Sequence, residues 1–165
     1  MKLQLYFLAL FLLLSSCKTT TKLPTDNNQT IDISGNFNAT DAEIAINDIY
    51  LAFQESEWYL SEIADAAIAS KAYVQNFEVN LDNKSYINKL LKSALNQQLN
   101  DDDQMEQLKA QNKSMASYVF RGKLSVSERN EDQNSVTYQL NIVLTNPANE
   151  TVWEKTDFIK KYLNN

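Results

Sequence analysis

The 165-residue chain contains no histidine, one cysteine (Cys17), two glycines (Gly35 and Gly122) and two prolines (Pro24 and Pro147). Without histidine it lacks the usual general base near neutral pH and the commonest metal ligand. A lone cysteine excludes an internal disulfide and any multi-thiolate metal centre. Two widely separated glycines cannot build a phosphate-binding loop or a dinucleotide fingerprint, which need glycines at close, fixed spacing. Positive charge is also scarce: Lys+Arg 15 against Asp+Glu 21 gives a net charge of −6. An acidic chain is a poor partner for nucleic acid, whose binding is dominated by phosphate neutralisation. Its acidity is most simply a matter of solubility.

Carboxylates are what remain for chemistry. A glycosidase needs only two, but no spacing in this chain selects a pair. Asp101-Asp102-Asp103-Gln104-Met105 is dense in acid, yet it lacks the glycine and the distal bidentate Glu of a calcium loop. It reads as a solvated turn that charges the N-terminus of a following helix. Glu43 and Asp48 read as a helix cap and a solvated helix face. Trp58 and Trp153 read as core or edge packing rather than as a cofactor or glycan platform. No cofactor and no metal are expected, and the residues describe a binding module rather than an enzyme.

The chain begins with Met1-Lys2, then an unbroken apolar run from Leu5 to Leu14, then Ser15-Ser16-Cys17. That is the charged, apolar, small-residue order of a secretory signal. Ten apolar residues are too few to span a bilayer as a helix, which takes about 20. The stretch Leu13-Leu14-Ser15-Ser16-Cys17 resembles the lipobox of bacterial lipoproteins, in which the cysteine receives diacylglycerol before cleavage in front of it. The resemblance implies a leader over residues 1–16, a lipidated Cys17 and membrane attachment through acyl chains, each CH₂ contributing about 0.8 kcal/mol. Loss of Lys2 with that leader takes the net charge from −6 to −7. Lys18, where lipoproteins retained in the inner membrane of enterobacteria tend to carry Asp, implies the outer membrane. No acidic run follows Cys17, so the periplasmic side is expected.

Lys18 to Thr30 is polar, has one proline and shows no apolar periodicity, so it reads as a flexible tether. Its thirteen residues reach about 45 Å when fully extended. Residues 31–165 are expected to form a single domain. Ile31-Asp32-Ile33 is a short apolar alternation, and Gly35-Asn36 favours a turn because both residues tolerate positive φ. Thr40 as N-cap with Glu43 three residues on predicts a capping box, and Asp41 adds negative charge at the helix start. Ile46, Ile49, Tyr50 and Phe53 predict a helix over about 41–55. Trp58, Leu60, Ile63, Ala64, Ala67 and Ile68 predict a second, bent from the first near Ser56. Ala72–Val79 has strand composition. Ile87, Leu90, Leu91, Ala94 and Leu95 predict an amphipathic helix behind polar cap candidates at 82–85. A short helix over about 103–112 is expected to turn Met105 and Leu108 inward. Alternation over 118–127, 136–144 and 151–159, with loops at 130–134 and 146–150, predicts an antiparallel meander with one wet face. Helices must cover the other face. The expected fold is α+β: a two-layer sandwich with a four-stranded, largely antiparallel sheet.

Three stretches together resemble the LpoB-like family of outer-membrane lipoproteins, which activate class A penicillin-binding proteins. They are Ser34-Gly35-Asn36-Phe37-Asn38-Ala39-Thr40-Asp41 entering a helix, Val74-Gln75-Asn76-Phe77-Glu78-Val79-Asn80-Leu81-Asp82-Asn83 leading into another, and Tyr118-Val119-Phe120-Arg121-Gly122 followed by a hairpin and Asn146–Trp153. The resemblance covers residues 33–161 and implies a small sheet-and-helix domain similar to the N-terminal domain of TolB. It differs between Asn100 and Ser117, where family members carry a strand and a long helix and this chain is short and polar. It implies a peptidoglycan synthase as partner and Asn36, Phe37, Asn38 and Asp41 as contact residues. The alternative is a structural or assembly lipoprotein that binds another envelope protein or peptidoglycan without regulating synthesis.

Overall fold

A computed structural model describes residues 35–163. The Leu13–Cys17 stretch, the 18–30 tether and the 31–34 alternation lie outside the described residues. Helix α1 spans Ala39–Gln54 and α2 spans Glu57–Glu62. Strands β1 (Ser70–Val74) and β2 (Glu78–Val79) precede helix α3, Lys84–Asn100. Strand β3 (Met105–Gln107) and a 3₁₀ turn, Ala110–Met115, lead to β4 (Tyr118–Asn130), β5 (Ser135–Thr145) and β6 (Thr151–Tyr162). The strands form one six-stranded sheet in the order β3-β1-β4-β5-β6, with β2 also paired to β4.

The α+β class is as expected; the four-strand count is not. The meander β4-β5-β6 is antiparallel, while β1–β3, β1–β4 and β2–β4 are parallel. The parallel pairings follow from connectivity: α3 carries the chain from β2 back to β3, and a crossover of that length returns it in the same direction. The predicted 72–79 strand is two strands with a break at 75–77, where the Phe77 amide leaves the ladder and donates to Asn88 Oδ1 at 2.7 Å. The helix expected at 103–112 is absent. That segment forms edge strand β3 and the 3₁₀ turn, so the short, polar stretch between Asn100 and Ser117 carries a strand but no long helix. Met105 and Leu108 do face inward.

Helix α1 buries Ile46, Ile49, Tyr50 and Phe53 on one face, as the spacing predicts. Its capping box lies two residues earlier than expected. Asn38, not Thr40, is the N-cap: Asp41 N donates to Asn38 Oδ1 (3.1 Å) and Asn38 N donates to Asp41 Oδ2 (2.8 Å). Asp41 therefore holds the reciprocal position assigned to Glu43, which is exposed. The bend at Ser56 is where the sequence put it, with Ser56 Oγ accepting from Tyr59 N. The second helix stops at Glu62, and Ile68 is 82% exposed. Short helices gain their stability mainly from packing, and beyond Ile63 the alanine-rich run offers little apolar area to bury. Helix α3 buries Ile87, Leu91, Ala94, Leu95 and Leu99. Asn83 is its N-cap, at φ 57° and without a side-chain cap bond.

All three helices contribute to the same face of the sheet. Phe53 is the hub of that interface: its ring meets Tyr50, Trp58, Tyr59, Phe120 and Trp153 at centroid separations of 4.9–6.0 Å. Aromatic pairs of this kind contribute about 0.5–1.5 kcal/mol each beyond area burial. Both tryptophans are thus packing residues, as expected. On β4, Gly122 gives the Phe77 ring its place, since a Cβ there would lie 2.2 Å from Phe77 Cε1. Gly122→Ala should lower stability by about 1–3 kcal/mol through overpacking. Urea denaturation checks this, and Phe77→Leu in the same chain should recover part of the loss.

Candidate functional site

The residues singled out by the family resemblance lie where the chain enters the domain. Gly35 is at φ 64°, a left-handed conformation suited to glycine, and a Cβ there would meet the Leu163 side chain. Its carbonyl accepts from Tyr138 Oη at 2.8 Å. Asn36 is exposed, and its carbonyl accepts from Lys161 Nζ at 2.6 Å. Phe37 is buried with its ring edge-to-face on Tyr138, 5.5 Å between centroids. Asn38 is the helix cap. Asp41 is buried and paired with Lys161, Nζ to Oδ2 2.6 Å, both side chains at 0% exposure. The structure brings these four residues together, with Asn36 on the surface and Phe37 and Asp41 in the interior. Cys17 lies outside the described residues.

Lys161 and Tyr138 were not found from sequence. Strand residues opposite one another point to the same face, and Tyr138 faces Ile159 while Val136 faces Lys161. Lys161 therefore occupies an inward position on β6, where alternation calls for an apolar residue. The strand extends past the predicted end at Ile159 to Tyr162 and so includes Lys161. Burial raises the Tyr138 hydroxyl pKa, with Lys161 and Arg129 opposing the rise.

A cleft of about 260 Å³ opens beside this anchor, lined by Asn36, Phe37, Asn83, Tyr86, Arg129 and Tyr138 among others. Phe37 and Tyr138 form its buried wall. Tyr86, 58% exposed, and Arg129, the penultimate residue of β4 before the hairpin, stand at its rim. A broader groove of about 500 Å³ runs between α1 and α3, lined by Glu43, Asn47, Asp48, Gln97 and Gln98. It presents amides and carboxylates and no positive charge.

A second polar cluster lies at the far end of α1. Asp102 is buried, not the solvated turn that its neighbours suggested. Its carboxylate accepts from Tyr50 Oη at 2.7 Å, Tyr59 Oη at 3.0 Å, Gln54 Nε2 at 3.2 Å and Gln104 N at 2.9 Å. Charge-assisted bonds of this kind compensate the loss of hydration. The cluster ties α1, α2 and the α3–β3 loop together. Tyr59 is pushed up to about 12, first by burial and then by its bond to Asp102, and Tyr50 is raised further for the same reasons. No local signal marks Asp102 among three consecutive aspartates; two tyrosines more than forty residues away decide its burial. Among the described residues no group of three or more His, Cys, Asp or Glu could hold a metal. No helix among them is long and apolar enough to cross a membrane.

No protein-family model matches the chain, and no curated protein matches it. Solved structures similar to it include a hypothetical protein from Chlamydia trachomatis, at 7% identity over 56% of this chain and 72% of that one, TM-score 0.41. A lipoprotein from Neisseria meningitidis is 11% identical over 58% of this chain and 85% of its own, TM-score 0.41. A PelC dodecamer from Paraburkholderia phytofirmans is 13% identical over 59% and 75%, TM-score 0.40.

Removing one partner of a buried ion pair costs about 3–5 kcal/mol, whereas replacing both by apolar residues is often near neutral. Asp41→Ala should therefore destabilise strongly, and Asp41→Leu combined with Lys161→Met much less, as read by thermal and urea unfolding. The tyrosines predict an alkaline limit. A hydroxyl whose pKa is higher folded than unfolded keeps its proton in the native state while the unfolded chain loses it. Its contribution is therefore full below pH 10.0, the ordinary tyrosine value, and for Tyr59 it is lost as pH rises towards about 12. Stability should fall over that window, and Tyr59→Phe should flatten the fall in denaturant titrations.

Proposed function

We propose that this chain is a lipid-anchored envelope protein, held through Cys17 at the outer membrane and facing the periplasm. Its domain binds and activates a peptidoglycan synthase of the class A penicillin-binding-protein type, without catalysis of its own. The observation that carries this reading is the rim formed by Asn36, Tyr86 and Arg129 at the cleft beside the domain entry. Tyrosine and arginine are the residue types that dominate protein–protein hot spots. Here they stand over a buried aromatic wall, next to the stretch that most resembles the activator family. The leader order and Lys18 support the anchor and its side of the envelope.

The tether reach of about 45 Å, from extended-chain length, favours a second reading. On it, the chain is a structural or assembly lipoprotein whose partner is an outer-membrane protein or peptidoglycan itself, with no effect on synthesis.

Crosslinking the lipidated protein in intact cells separates the two. The activator reading expects a bifunctional penicillin-binding protein in the catch, reduced about tenfold by Arg129→Glu with Tyr86→Ala, since truncating a hot spot costs about 1–2 kcal/mol or more. It also expects the catch to vanish with Cys17→Ala. A catch of outer-membrane proteins or wall fragments alone would remove the activator function and leave the structural one.

A further inference from the structure

Strand β6 ends the sheet among the described residues: β5 pairs with one side of it and no described strand with the other. Leu163 N donates to Asn134 O across the β5 side. Backbone groups alternate sides along a strand, so the odd-numbered residues of β6 bond β5. The even-numbered residues Glu154 to Tyr162 present their N–H and C=O groups to the open edge, while a register shift opposite Leu144 and Thr145 leaves Val152 outside this alternation. At 12 residues, β6 is long for an edge strand, and it holds no proline. Natural sheets usually shorten or interrupt such edges; here the interruption is confined to the start of the strand, and Trp153–Tyr162 pair with β5 without a break.

We propose that the open edge of β6 is a self-complementary docking surface, and that a second copy of this chain adds to it antiparallel, about a two-fold axis at Thr156. Antiparallel pairing across this edge sets even residues opposite even ones, so the axis must pass through a single residue. An axis at Thr156 places Lys155 opposite Asp157 of the second copy, twice, and Trp153 opposite Ile159. Glu154 then lies diagonal to Lys160, within reach of a long side chain. Phe158, 54% exposed on the helix-free face, is covered by the stem of Glu154 of the second copy.

The neighbouring registers fail on charge. Axes at Glu154, Lys155, Asp157 and Lys160 set each of those residues against itself, and an axis at Phe158 sets Lys155 against Lys161. Like charges directly opposite are destabilising. An axis at Ile159 shortens the overlap and would need Lys161, whose ammonium is committed to Asp41 of its own copy. Within one copy Asp157 faces Asp48 of α1. Burial, and then that like charge, raise its carboxyl pKa against the pull of the Phe158 amide and Lys155. Lys155 arriving from a second copy would offset both carboxylates.

The test uses the full chain in membranes of expressing cells. Thr156→Cys brings two cysteines to the axis at about 5.5 Å between Cα atoms, inside the roughly 4.4–6.8 Å disulfide window. Phe158→Cys separates them by four residues of strand, about 13 Å. Mild oxidation should give a disulfide dimer for the first variant, and none for the second or for the unaltered chain with Cys17 alone. In the Thr156→Cys background, Lys155→Asp alone should cut dimer yield at least about tenfold, through two like-charge pairs. Adding Asp157→Lys to the same chain should restore it. Absence of the Thr156→Cys dimer, equal crosslinking of Phe158→Cys, or a Lys155→Asp variant that dimerises undiminished would each overturn the proposal.

Discussion

The domain depends on one buried ion pair between residues 120 positions apart. Asp41 belongs to the first turn of the first described helix, and Lys161 to the end of the last strand. Asp41 also completes the capping box with Asn38, and Lys161 also bonds the Asn36 carbonyl. One carboxylate thus starts a helix, neutralises a buried ammonium and joins the first described helix to the end of the last described strand. Charges in a low-dielectric interior interact strongly and are costly when separated. The geometry around Gly35 is fixed accordingly. The described chain thus enters the domain at Gly35, beside the cleft.

The sheet is asymmetric. One face is covered by α1, α2 and α3 through the Phe53 aromatic hub and the Asp102–tyrosine cluster. The other face carries polar side chains such as Arg121, Lys123, Gln139 and Asn141, with Phe158 and Tyr162 on its β6 margin. At one edge the three-residue β3 is too short to template a partner strand. At the other, β6 is long and has no further strand beside it among the described residues, and its inward side carries Lys155 and Asp157 where a central strand would carry apolar residues. Charges turned inward at an edge discourage indiscriminate pairing and permit only a register in which they find their opposites. Specificity then comes from excluded alternatives as much as from the favoured contact.

Much of this was legible in the chain. The apolar faces of α1 and α3, the break at Ser56, the β4–β5–β6 meander with its two loops and the packing role of Trp58 and Trp153 all follow from periodicity and turn chemistry. These signals are local, carried by residues within a few positions of each other. The failures share a cause as well. The sequence pattern points to Thr40 and Glu43 as the capping box, whereas the box forms at Asn38 and Asp41, where Asp41 also meets Lys161 of β6. Asp102 resembles its two neighbours in sequence, since all its side-chain donors, Tyr50, Gln54 and Tyr59, lie more than forty residues away. The 72–79 run had strand composition throughout, yet Phe77 is drawn out of the ladder by Asn88 and the space over Gly122.

The sequence by itself therefore determined the helix faces, the meander, the α+β class and the lack of histidine, thiol-cluster and glycine-loop chemistry, because these depend on composition and short spacing. Tertiary structure alone decided the six-strand mixed order, the burial of Asp41, Lys161 and Asp102, and the place of β6 at the margin of the described sheet. Each of these depends on which distant groups meet after collapse. A charged side chain can leave water only where a partner waits, and no periodicity along the chain encodes where that partner will be.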